Sequence, residues 1–193
     1  MAQLQRKSNF DLAAYMAWED AQPERHEYHE GEVFAMSGGS DAHYTIIGNL
    51  FATLRERLTG RPCRAFISGM KIEIMAADAV LYPDVFVTCD PRDRETDARL
   101  AKRYPTLVAE VLSDSTAAYD RGRKFELYQR LDTLREYLLI DQDRRHLDLF
   151  RKNEAGRWEL HPLNDSDALE LASLQLSFPL ASLYEDVEGL SPP

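Results

Sequence analysis

The succession of hydrophobic periodicities along the chain predicts an α/β fold, a mixed β-sheet with helices packed against it. Two observations carry that prediction. A long stretch of helical period, 40–58, precedes three strand-like runs at 65–75, 80–88 and 106–112. A second helical stretch, 115–130, is then followed by two apolar runs around a polar turn. No internal repeat, low-complexity tract or linker divides the sequence, so one domain over residues 1–193 is expected, with a ragged end from Glu188 to Pro193.

Taken in order, Asp11 to Glu19 reads as a short helix capped by Asn9 or Asp11 and stopped before Pro23, and Glu32 to Met36 as a strand. The tetrad Ser37-Gly38-Gly39-Ser40 turns the chain. Tyr44, Ile47, Leu50, Phe51, Leu54 and Leu58 then recur on one helical face, with Ser40 or Asp41 as N-cap and Gly60-Arg61-Pro62 as the stop. Glu136 to Ile140 and His146 to Arg151 flank a five-residue polar turn and predict a hairpin, to which Trp158 to His161 adds a strand.

Composition restricts the function classes. The 193 residues hold 33 acidic and 23 basic side chains, a formal charge of −10, with a pI near 5.0. That is the wrong sign for a protein that grips nucleic acid through a broad basic surface, so any handling of phosphate must be local. Cys63 and Cys89 stand alone, with no CxxC spacing and no histidine motif, which predicts neither a zinc site nor a disulfide and favours a reducing cytoplasm. No stretch has the apolar length of a signal or membrane segment.

Two acids interrupt apolar strand runs: Asp84 within 81–87 and Glu110 within 107–112. Period-2 alternation puts Asp84 on a face with Tyr82 and Phe86, and Glu110 on a face with Val108 and Leu112, so each acid replaces an apolar side chain. A carboxylate buried there needs a metal ion or a basic side chain nearby. Ser113 to Thr116 can cap the next helix, on which Asp120, Lys124 and Tyr128 fall at i, i+4 and i+8, with Phe125 and Leu131 anchoring it to the sheet. The competing reading is a structural salt bridge and a solvated Asp120–Lys124 pair. Two strand-borne carboxylates beside a lysine suit Mg²⁺ or Mn²⁺ acting on a phosphodiester.

The segments Glu30 to Gly39 with Ala42-His43, Tyr82-Pro83-Asp84-Val85, Glu110 to Thr116, Tyr119 to Lys124 with Leu127-Tyr128, and Glu136 to Ile140 together resemble the Uma-type family of restriction endonucleases, within the PD-(D/E)XK nuclease superfamily. The resemblance spans about residues 11–151 and implies a restriction-endonuclease-like core, a central mixed sheet flanked by helices. It implies that Asp84 and Glu110 bind the metal together with the main-chain carbonyl of Val111, that Lys124 is the catalytic lysine, and that Glu32 is a further acid. His43 would face the site, and Tyr128 with Asp120 would position Lys124. The sequence departs from the superfamily pattern at Leu112, where the lysine two residues after the glutamate would stand. Lys71, beside Glu73, is a candidate second base, its plain alternative being a same-face strand pair. His26 to Glu30 lacks HExxH spacing and reads as a solvated loop before a strand.

The function expected is therefore a Mg²⁺- or Mn²⁺-dependent endonuclease that hydrolyses DNA phosphodiesters, with weak, salt-sensitive DNA capture, no membrane association, and two copies needed to cut both strands. The alternatives are a catalytically inactive nuclease-fold module for binding or dimerisation, and a hydrolase of small phosphorylated molecules.

Overall fold

The computed structural model describes residues 4–5, 10–36, 38–95, 100–113 and 116–190. Its helices are α1 (Leu12–Glu19), α2 (Asp41–Arg57), α3 (Ala117–Tyr119) and α4 (Phe125–Tyr128), with a π-helical turn at Asp120–Lys124 joining the last two. Two six-stranded sheets hold most of the strands. In the first the order is β1 (Leu4–Gln5), β3 (Glu32–Ala35), β2 (His26–His29), β6 (Ala79–Leu81), β5 (Lys71–Ile74), β8 (Ala101–Lys102). In the second it is β12 (Trp158–Asn164), β11 (His146–Lys152), β10 (Glu136–Asp141), β9 (Pro105–Leu112), β7 (Val85–Thr88), β4 (Arg64–Ile67). β13 (Ala168–Leu171) and β14 (Leu176–Pro179) form a separate antiparallel pair. Both large sheets are mixed: β9 runs parallel to β10, β5 parallel to β8, and the other pairs are antiparallel.

Two expected strands are each broken in two. The 65–75 run leaves the second sheet after Ile67, turns through Gly69 at φ +110°, and enters the first at Lys71. The 80–88 run makes the reverse passage at Tyr82-Pro83-Asp84, where Pro83 has no N–H to give to a ladder. The passages touch, since the Ser68 amide donates to the Asp84 carbonyl at 3.0 Å. Asp84 is thus at a junction between sheets, not inside a strand.

Alternation along β9 divides its side chains between two cores. Leu107, Ala109 and Val111 pack with Ile46, Ile47, Leu50 and Leu54 of α2, while Val108 and Leu112 join Phe86, Phe125, Leu131 and Tyr137 on the opposite face. The α2 helix is capped by Ser40, whose hydroxyl accepts the His43 amide, and α1 by Asp11; Asn9 and Ser37 lie outside the described residues. Tyr44 departs from the expected apolar face and is 54% exposed. Of the expected 115–130 helix, Ser115 lies outside the described residues, and the remainder is interrupted by the π turn around Gly122. His26 to His29 is a strand with His26, Glu27 and Tyr28 buried, not a solvated loop.

The cysteine expectation is also overturned. Cys63 and Cys89 form a disulfide. They extend the β4–β7 ladder beyond its Arg64–Thr88 pair, so strands distant in sequence set the two thiols opposite each other. With both thiols in a disulfide, the cysteines no longer favour a reducing compartment. The double variant Cys63→Ala/Cys89→Ala is expected to unfold in urea with about 3.5 kcal/mol less stability, the chain entropy of closing a loop of 26 residues.

Candidate active site

The site lies in a cavity of about 280 Å³ between the junction, the end of β9, and the helical segment 117–128. Glu110 and Asp84 hold each other through the main chain. The Val111 amide donates to Asp84 Oδ2 at 2.8 Å, and the Asp84 amide to Glu110 Oε2 at 3.3 Å. Tyr128 Oη donates to Glu110 Oε1 at 2.9 Å, the same oxygen that receives Lys124 Nζ at 2.9 Å. Tyr128 therefore orients the glutamate to which the lysine is bound. It was expected to act on Lys124 itself.

Lys124 lies on the π turn with its side chain 7% exposed, and its ammonium also meets Glu27 Oε1 at 3.1 Å and Asp120 Oδ1 at 3.7 Å. Burial alone would depress its pKa, but Glu110, Glu27 and Asp120 outweigh burial and hold it well above the ordinary lysine value. Three ion pairs hold the ammonium in place. Glu110 moves upward as well, driven first by burial and then by Asp84, Asp120 and Glu27 against the opposing pull of Lys124. Asp120 is raised by its burial, which Lys124 and a hydrogen bond from Thr116 partly offset.

His43, from the first turn of α2, places Nε2 3.4 Å from Asp84 Oδ1, while its buried Nδ1 has no hydrogen-bond partner among the described residues. The loop before α2 lies flat on this ring, so that a Cβ added at Gly39 would meet His43 Cδ2 at 2.3 Å.

Asp84, Glu110, Val111, His43, Asp120 and Lys124 thus line one cavity, and Tyr128 braces it from behind. Glu32 does not line it. Glu32 sits across the β2–β3 ladder from His29, and Glu27, on the other strand of that hairpin, is the acid that reaches the site. Glu27 also accepts the Tyr82 amide at 3.0 Å, and Tyr82 Oη donates to the buried Glu19 at 3.0 Å, so α1 is tied to the cavity wall. Lys71 is elsewhere, paired with Asp20 at 2.6 Å, and Glu73 pairs with Arg103, so neither the second-base reading nor the same-face pair describes it. Tyr119 lines the cavity without having been singled out from the sequence.

The donor set fits a hard divalent cation. Glu27, Asp84, Glu110 and Asp120 bring four carboxyl groups around one ammonium, all but the half-buried Asp84 out of solvent, a crowding that either a bound cation or a shared proton relieves. Among the described residues no three acidic, histidine or cysteine side chains gather closely enough to enclose an ion by themselves. An ion held here would therefore take Asp84 and Glu110 and complete its shell with water and substrate oxygens, as Mg²⁺ usually does.

Comparisons with known proteins agree with this architecture. The model of the Uma2 family, described as "Putative restriction endonuclease", matches residues 12–183. The chain is 44% identical over 170 residues to "Uncharacterized protein slr1290" of Synechocystis sp. (strain ATCC 27184 / PCC 6803 / Kazusa), covering 88% of each protein. It is 32% identical over 156 residues to "Uncharacterized protein sll1609" of the same organism, covering 81% of this chain and 88% of that one. A crystal structure described as "a putative nuclease belonging to DUF820", from Anabaena variabilis ATCC 29413, superposes with a TM-score of 0.73 over 92% of this chain and 98% of that one, at 17% identity. The two share a fold, and the expected mixed-sheet, nuclease-type core is borne out. No helix among the described residues is long and apolar enough to cross a membrane.

Proposed function

The chain belongs to the Uma2 restriction-endonuclease family, and from that premise we propose that it is a metal-dependent endonuclease hydrolysing DNA phosphodiester bonds. The observation that supports this most is the meeting of Asp84, Glu110 and Lys124 in one cavity, where the acidic groups outnumber the lysine. Asp84 and Glu110, with the carbonyl of Val111, would hold Mg²⁺ or Mn²⁺. Such an ion supplies Lewis acidity toward a phosphoryl oxygen and a water more acidic than bulk water.

The chain's own groups do the rest. Lys124, protonated, donates to the attacking water or to a non-bridging oxygen and offsets the charge that grows there. Tyr128 keeps Glu110 turned toward the cavity, Asp120 and Glu27 fix the ammonium, and His43 meets the outer oxygen of Asp84. Cutting both strands of a duplex takes two such sites and hence a homodimer; a single nick takes one.

The test is cleavage of plasmid and single-stranded DNA with and without Mg²⁺ or Mn²⁺. Divalent-dependent cleavage lost in Asp84→Ala and in Lys124→Ala is expected, and cleavage that persists in both contradicts the assignment. The internal pairing of Lys124 with three acids favours a second reading, a non-catalytic nuclease-fold module, which predicts no cleavage under any ion. A further expectation concerns the loop against His43. Gly39→Ala should displace the imidazole from Asp84 and lower the cleavage rate by about tenfold to a hundredfold while the fold stays intact, checked by kinetics and circular dichroism.

A further inference from the structure

The rim of this cavity has the wrong chemistry for holding a duplex. Among the described residues Lys124 is the one lysine or arginine that lines it, and it lies at the bottom, committed to three carboxylates. Three large exposed apolar side chains lie on or beside its lining. Met36 lines the cavity and is 37% exposed. Tyr44 follows His43, its hydroxyl accepts the amide of the lining residue Gly39 at 3.2 Å, and it is 54% exposed. Ile67, 38% exposed, precedes the Ser68 whose amide is bound to the Asp84 carbonyl. These are three of the six large apolar side chains exposed among the described residues.

A duplex shows a protein its phosphates and hides the faces of its bases in the stack, so it is held chiefly through cationic and hydrogen-bonding groups at those phosphates. It is also stiff, with a persistence length of about 50 nm, so bringing one of its phosphates to carboxylates as buried as Glu110 carries a bending cost that further contacts must repay. An unpaired strand is flexible and exposes a π-face at every nucleotide, which aromatic and apolar side chains hold without regard to sequence. Accepting the nuclease reading of the site, we propose that it takes an unpaired DNA strand, with one base stacked on the Tyr44 ring while the adjoining phosphate enters toward Asp84 and Glu110. Stacking adds affinity where a chain of net charge −10 draws less from its charge.

The test uses one fluorescein-labelled oligonucleotide, alone and annealed to its complement, with wild type, Tyr44→Ala, Tyr44→Phe and Tyr44→Trp in Mg²⁺. The single strand is expected to be cut at least about tenfold faster than the duplex. Tyr44→Ala should raise KM for the single strand about tenfold, with most of the loss in KM and not in kcat, whereas the Phe and Trp variants retain wild-type behaviour. The Phe variant also separates the ring face from the hydrogen bond to Gly39. Duplex cut as fast as single strand, or Tyr44→Ala equal to wild type on the single strand, overturns the strand preference and leaves the nuclease reading standing. If neither substrate is cut, the nuclease reading fails and fluorescence anisotropy decides the preference. Single-strand binding weakened by Tyr44→Ala upholds it, and equal binding of both forms, or none, overturns it.

Discussion

Replacing Lys124 with methionine is expected to destabilise the fold by about 3–5 kcal/mol, because it leaves buried carboxylates without their cation. The side chain is 7% exposed and its ammonium touches Glu27, Glu110 and Asp120, none of which pairs with a second lysine or arginine among the described residues. Methionine fills a similar volume, so the loss comes from uncompensated charge and not from an empty space. Urea unfolding of the metal-free protein measures it. A second substitution identifies the cause: Lys124→Met/Glu27→Gln removes one of the stranded acids and should recover part of the loss, giving a non-additive cycle. Additive effects would mean that Glu27 and Lys124 do not act together.

Asp84→Asn and Glu110→Gln are expected to lower divalent-dependent cleavage by about a thousandfold, the equivalent of several kcal/mol in the transition state. Their effect on stability should have the opposite sign to that of Lys124→Met. Four carboxylates face one ammonium in the cavity, so removing one negative charge relieves repulsion, and the asparagine carbonyl can still accept the Val111 amide. The metal-free Asp84→Asn protein should therefore unfold at an equal or higher urea concentration than wild type. Activity lost while stability is kept marks acids retained for function, whereas a structural salt bridge would lose both.

Much of this arrangement was legible in the sequence for a physical reason. Period-2 alternation is local, so Glu110 could be placed on a face with Val108 and Leu112, and the anchoring of the next helix by Phe125 and Leu131 could be read from its apolar spacing. What could not be read depended on pairings between distant strands. The Cys63–Cys89 bond exists because β4 and β7 are neighbours in a ladder, and nothing near either cysteine records that. Pro83 was a visible sign that the 80–88 run could not be one central strand, yet a passage between two sheets follows only once both sheets are assembled. Glu27 and Glu32 lie on the two strands of one hairpin, and which of them reaches the cavity depends on how that hairpin packs on β6. The burial of His26, Glu27 and Tyr28 was hidden by their polar character, since the partners that compensate Glu27, Lys124 and the Tyr82 amide, are distant in sequence. The π turn carries its own signal in Gly122, a weak helix former between two arginines.

The most direct measurement is a calorimetric titration of the full chain with Mn²⁺, repeated on Asp84→Asn and Glu110→Gln. Saturable binding is expected, lost or greatly weakened in both variants, whose folds remain intact by circular dichroism. Absence of binding by the wild type, or binding unchanged by either substitution, would contradict it.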